Sequence, residues 1–306
     1  MYPNTSVVTL CKLFGKTRQG WYAHWQRKKE LALSETFILK LVKEIRREHP
    51  RIGTHKIHYM ITPQLQQHGI RYGRDKLYHL LYRHGLLIRQ RKRKVYTTNS
   101  NHSLKKYPNL IKDLRLYLSE QLWVSDITYL KVGKGFAYLS LVTDAYSRKI
   151  VGWCLYPTLE ATGAVTALTM AIKDRKTNRN LIHHSDRGIQ YCCQQYAREL
   201  DYYGIRISMS AKGDPYENAI AERVNGILKT EYLLDKTFNS IMVAKTAVAN
   251  AIEKYNYLRP HASCDYNTPD IAHQLKGPLK KRWKSNKKQP CTDQKEVQQK
   301  QVITNT

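Results

Sequence analysis

Apolar positions recur at helical spacing in the first third of the chain and at every second residue in the middle, so two kinds of unit are expected in succession. SVVTLCKLF carries one apolar face, Gly15 interrupts it, and TRQGWYAHW restarts after Thr17, which predicts two short helices over residues 6–30. A separate amphipathic helix is predicted from the cap Ser34 up to Pro50, with Ile38, Leu41, Val42 and Ile45 on one side. THKIHYMITPQLQQHG and GRDKLYHLLYRHG close on Gly69 and Gly85, completing a three-helix unit over residues 34–85, with Pro63 expected to kink the middle helix. From Leu122 the period becomes two: WVSDITYLKV, a glycine-bearing turn at 133–135, FAYLSLVTDAY and KIVGWCLYP read as three strands, the first two a hairpin. A helix over 158–174, the strand LIHHSD, a helix over 191–203, the strand IRISMS, and helices over 217–234 and 240–257 follow. The expected division is a helical module at 1–88, a linker at 89–109, an α/β core at 110–275 and a disordered polar tail at 276–306.

Charge narrows the partner. The 306 residues carry a formal net charge of +28, far beyond any packing need, and 42% hydrophobic content rules out a disordered polycation. A polyanion relieves such repulsion. No stretch approaches a spanning helix and no leader opens the chain, so a soluble, cytoplasmic, DNA-associated protein is expected rather than a membrane protein. In RQRKRK, Arg89, Arg91, Lys92, Arg93 and Lys94 are expected to track phosphates. The six cysteines form no Cys-x-x-Cys pair, and the histidine pairs His55/His58 and His79/His84 have no cysteine near them, which disfavours disulfides and structural zinc.

Three acids supply the candidate chemistry: Asp126 inside the first strand, Asp186 ending LIHHSD, and Glu222 on a helix, with 35 residues between the last two. Carboxylate oxygens suit hard divalent cations, and two such ions about 3.5–4 Å apart activate an attacking oxygen and stabilise a leaving one. On the Glu222 helix, Asn218, Glu222, Asn225 and Lys229 share a polar stripe, while Ile220, Val224, Ile227 and Leu228 turn away from it. Metal binding is therefore expected of the acids, and DNA contact of Lys229, Asn218 and Asn225. SAKGDPYEN, with Gly213 and Pro215, is expected to form a mobile loop beside them. Asp144 and Arg148 read as turn residues, and Asp214, Glu217 and Glu231 lie off the stripe and are left out.

At these residues the chain resembles the downstream-frame product of insertion-sequence-three transposases, which have a retroviral-integrase type of catalytic core. WVSDITY, VTDAYSRKIVGW, HHSDRGIQY, YENAIAERVNGILKTE, YNYLRPH, NTP and the N-terminal HPRIGTHKI carry the resemblance, over about residues 5–272. One position departs: Ile52 stands where the family commonly has an aromatic. The resemblance implies a ribonuclease-H-like core, consistent with the order βββαβαβα, preceded by an all-α module of helix-turn-helix type. It implies a polynucleotidyl transferase in which Asp126, Asp186 and Glu222 hold Mg²⁺ or Mn²⁺, two ions, and Lys229 contacts DNA. The reaction implied is cleavage at element ends and joining of the 3′-hydroxyl to target DNA. Double-stranded DNA, further copies of the chain, and an upstream-frame product joined by frameshifting are the implied partners. A catalytically silent DNA-binding derivative and a ribonuclease H are the rival readings. The intact triad opposes the first, and the helical module and basic linker oppose the second.

Overall fold

The computed structural model describes residues 6–88, 103–112, 114–210 and 218–282. The RQRKRK segment, the loop residues 211–217 and the chain beyond 282 lie outside them, so the expectations for these stretches stand outside the described residues.

Ser6 caps α1 (Val7–Leu13) by accepting a hydrogen bond from the Thr9 amide at 3.2 Å. Thr17 caps α2 in the same way, accepting from Gly20 N at 3.0 Å. Unlike the sequence reading, α2 then runs unbroken over Arg18–Glu48, 31 residues in all. Ser34 is inside it and donates its hydroxyl back to Glu30 O at 2.9 Å. The reason is local: QRKKELAL is made almost wholly of strong helix formers, and an N-cap requires a break that such a run does not supply. Two further helices, α3 (Thr54–Gln67) and α4 (Arg74–Arg83), fold against its C-terminal half. Ile38, Leu41 and Val42 meet Ile57, Ile61 and Leu65 of α3 and Leu77, Leu80 and Leu81 of α4. Ile52 is fully buried in this cluster, so its departure from the family pattern is a matter of packing. Gly69 and Gly85 end their helices at φ 67° and 63°, as their positions predicted.

The second unit is a six-stranded sheet among the described residues. The strands β1 (Leu122–Val132), β2 (Gly135–Asp144) and β3 (Ile150–Tyr156) form an antiparallel meander. Two short strands, β4 (Ile182–Ser185) and β5 (Arg206–Met209), extend it in parallel beyond β1, giving the order β3-β2-β1-β4-β5. A strand too short to read from periodicity, β6 (Thr237–Phe238), pairs with the end of β1.

Alternation sorts the side chains between two cores. Trp123 and Val142 face α5 (Ala161–Lys173), α6 (Ile189–Cys192) and α7 (Gln194–Tyr202). Leu130, Leu139 and Leu141 face α8 (Ala219–Glu231) and α9 (Ile241–Tyr257). The helix expected over 191–203 is divided because Cys193 takes an extended conformation between α6 and α7. Gly152 lets β3 touch α5: a Cβ there would lie 2.1 Å from Ala167 O. A last helix, α10 (Pro269–Gln274), follows a short 3₁₀ turn. The arrangement is the expected ribonuclease-H-like sheet, sandwiched by helices and preceded by an all-helical region.

Candidate active site

The parallel pairing of β1 with β4 sets Val124 opposite His184. Two residues further along each chain stand Asp126, within β1, and Asp186, just past the end of β4, and the charge of Asp186 acts on the Asp126 carboxyl. Asp126 shares the face of Val124 and Leu130, the side covered by α8. Glu222 is in the first turn of that helix and is exposed.

Asp126 is held at both oxygens. Its Oδ1 accepts from Ile127 N at 2.9 Å, and its Oδ2 accepts from Asn225 Nδ2 at 2.8 Å. Burial, the charge of Asp186 and, more weakly, that of Glu222 push its carboxyl up to about 7, against the lowering effect of the Asn225 bond. The other two acids predicted from sequence thus both act electrostatically on Asp126. Asp186 accepts from Gly188 N at 3.0 Å in an Asx-type turn that leads into α6.

Lys229 lies two turns beyond Glu222. Its Nζ sits 4.2 Å from the Tyr129 ring centroid, and burial lowers its pKa while Asp126 and Asp235 oppose that shift. The stripe to which it belongs is only partly a solvated face: Glu222 is exposed, but its two asparagines are not. Asn218 and Asn225, expected at DNA, are 6% and 5% exposed and turn toward β1. Asn218 Nδ2 donates to Ser125 O at 3.1 Å, so it fastens the start of α8 to the strand instead of capping the helix. Periodicity placed both on the right helical line, but only packing reveals that this line rests against β1.

Sequence reasoning missed the support beneath the acids. His183 is buried, and its Nε2 lies 2.7 Å from Ser125 Oγ and 2.9 Å from Tyr196 OH. Burial, reinforced by His184, pulls it down to about 3, so the ring is neutral and works as a strut. Adjacent histidines in a short strand were the available signal. Asp144 is the turn residue expected: Oδ1 accepts from Ser147 N at 2.8 Å and Oδ2 from Glu120 N at 2.7 Å. Glu120 in turn accepts from Lys176 N at 3.1 Å and from the Thr177 hydroxyl. Between them His273 of α10 is held up to about 9, because the carboxylates of Asp144 and Glu120, 3.8 and 3.9 Å away, outweigh burial. This network closes the far end of the core and takes no part in the acid site.

The donor set fits a hard divalent cation: all three side chains are carboxylates, and Asp126 carries an unrelieved repulsion that a cation would remove. Among the described residues, no three acid, histidine or cysteine side chains stand close enough together as placed to hold an ion jointly.

Two integrase core domain models match the chain, over residues 118–215 and 203–269. The chain is 32% identical over 271 residues to the transposase InsF for insertion sequence IS3A of Escherichia coli (strain K12), covering 87% of this chain and 93% of that protein. The chain belongs to the IS3 family of insertion-sequence transposases. A 31 kDa protein of insertion element IS600 from Shigella sonnei is 36% identical to this transposase over 261 residues, covering 83% of the chain and 93% of the relative. Among solved structures, the HTLV-2 integrase catalytic core domain in complex with magnesium is 22% identical with a TM-score of 0.42, and 52% of the transposase covers 99% of it. The matched core segments span β1 to the first residue of α10 and contain Asp126, Asp186 and Glu222. No helix among the described residues is long and apolar enough to cross a membrane.

Proposed function

We propose that this transposase cleaves DNA at element ends and joins the exposed 3′-hydroxyl to target DNA, with Asp126, Asp186 and Glu222 as the residues that hold Mg²⁺ or Mn²⁺. The observation that supports the reading is that Asp186, just past β4, and Glu222, in the first turn of α8, both act on the Asp126 carboxyl of β1. Bound divalent ions, two in this reading, would supply a lowered pKa for the attacking oxygen and charge for the leaving one. The chain's own residues prepare that site. Asn225 orients Asp126 through Oδ2, and the turn at Gly188 orients Asp186 through Oδ1. With its carboxyl up at about 7, Asp126 would hold a cation in its ionised form, which predominates above neutral pH. Lys229, steadied on Tyr129, supplies positive charge for a phosphate beside the acids.

The net charge of +28 supports duplex DNA as the substrate, with element ends selected mainly by the helical region and phosphates held by the core and the 89–94 segment. Two or more copies on paired ends, together with an upstream-frame product, complete the proposed assembly. The test is a gel assay of 3′-end cleavage and joining on duplex carrying the element ends, with Mg²⁺ and with a chelator. Metal-dependent joining is expected. Retained end binding with no metal-dependent cleavage would favour a catalytically silent DNA-binding derivative.

A further inference from the structure

Two motifs of the chain, HPRIG and YNYLRPH, have no part in the acid site, and the structure brings them together at the opposite end of α8. Glu231, in the last turn of that helix, accepts from Arg259 Nε at 2.8 Å and Nη2 at 2.9 Å. Lys56, in the first turn of α3, lies 3.4 Å from the same carboxylate. The backbone joins in: Arg51 N donates to Glu231 O at 3.1 Å, so the helical region supplies a capping bond to the helix that carries Glu222. His49 Nδ1 lies 3.0 Å from Tyr232 OH, and Tyr59 stacks on Tyr266 with centroids 4.5 Å apart. Lys254 of α9 pairs with Glu48 of α2 at 3.0 Å on the rim.

The energetics rank these contacts. Burial works against the charge of Glu231, yet Arg259 and then Lys56 hold it down at about 2. Lys56 is lowered to about 8 by burial and by Arg259, so Arg259 is the principal counter-charge and Lys56 an added contact from the other unit. Arg259 is itself placed by the motif around it. Asn256 brackets the start of β3, accepting from Ile150 N at 3.0 Å and donating to Ile150 O at 2.9 Å. Cations also gather where α8 ends, the end at which its dipole favours positive charge.

We propose that HPRIG and YNYLRPH form a docking joint that seats the helical region on the C-terminal end of α8, with Glu231, Arg259 and Lys56 as positioning residues. The joint passes through one rigid helix to Glu222 and Lys229, so it fixes where DNA held by the helical region meets the acid site. The docking stands on the contacts above, and its consequence for joining rests on the function proposed for the acids.

Hydrogen exchange of the full chain, measured without DNA, tests the docking. Lys56→Glu sets like charge against Glu231 while leaving α3 intact, since an acid is favourable in a helix's first turn. Segments 49–56 and 228–236 should exchange together about tenfold faster, while 77–81 and 137–143 keep their protection. Unchanged exchange in the first two segments would overturn the joint. If Lys56→Glu strips protection from all four segments, Tyr59→Ala, which removes only the stack on Tyr266, decides by the same two readings. In the joining assay, Lys56→Glu should lower the rate at saturating DNA about tenfold and change half-saturation less than twofold. Lys43→Glu, on an exposed lysine of α2, controls for lost charge. Opened segments with an unchanged joining rate would refute positioning, whereas a wild-type chain that never joins DNA but shows the expected exchange pattern counts against the functional reading alone.

Discussion

The two ends of α8 handle carboxylates in opposite ways. Near its start, the partly buried Asp126 feels the charges of Asp186 and, more weakly, Glu222, and its carboxyl is pushed up to about 7. At its other end, the largely covered Glu231 pairs with Arg259 and Lys56 and is held down at about 2. Burial disfavours charge at both places, so the difference comes from the neighbours. One end has its compensation built in and serves as structure. The other accumulates like charge that Asn225 and the Ile127 amide relieve only in part, which fits the proposed cation site.

The largest test of this contrast is catalytic. Asp126→Asn, Asp186→Asn or Glu222→Gln should each reduce joining by about a thousandfold or more, with affinity for DNA unchanged or improved, because negative charge beside phosphate is removed. Near-normal Mg²⁺-dependent joining by any one of them would break the assigned triad. Next, Glu231→Ala should destabilise the fold by about 3–5 kcal/mol in chemical denaturation, since Arg259 is left buried without its counter-charge. A loss below about 1 kcal/mol would show that the two ends are less different than they look.

The pH dependences should run in opposite directions. Asp126 has a raised pKa, so its contribution is full below pH 4 and is lost as pH rises through about 7; Asp126→Asn should therefore stabilise the metal-free protein at pH 8 by about 1–2 kcal/mol and little at pH 4. Glu231 has a lowered pKa, so its contribution is full above about pH 4.5 and is lost as pH falls toward 2. Denaturation midpoints of wild type, Asp126→Asn and Glu231→Ala across pH 2–8, without and with Mg²⁺, separate the two. A constant difference across that range would remove the electrostatic account of the acid site. The smallest effect concerns Lys229→Ala, which should slow joining about tenfold while altering the log-log salt slope of binding by about one. A fall in affinity alone would place Lys229 in the general basic surface.

Much of this was readable in the chain. Strand alternation placed Asp126 inside the first strand of a hairpin, the short apolar run LIHHSD ended at Asp186, and helical spacing set Lys229 two turns from Glu222. These are local periodicities, and the backbone obeys them wherever burial rewards them. Elements lacking such a period escaped: β6 has two residues, α10 has six, and the break at Cys193 is one extended residue inside a helical pattern. Ser34 misled because a good capping residue inside a run of helix formers has no break to cap.

The sequence by itself determined the two kinds of unit through composition and short periods, showed the family through motifs of residues near one another in the chain, and singled out the three acids as candidates. Tertiary structure decided which way the polar side chains point. Asn225 turns inward to Asp126, 99 positions away, Glu231 pairs with Arg259 28 positions on, and Lys56 reaches that pair across 175 positions. Hydrophobic patterns show that a face is buried, but a hydrogen-bonded or ionic partner is chosen only when the packed elements bring a compensating group into reach. Asp126, Asn225 and Glu231 therefore acquire their different roles from their neighbours in space.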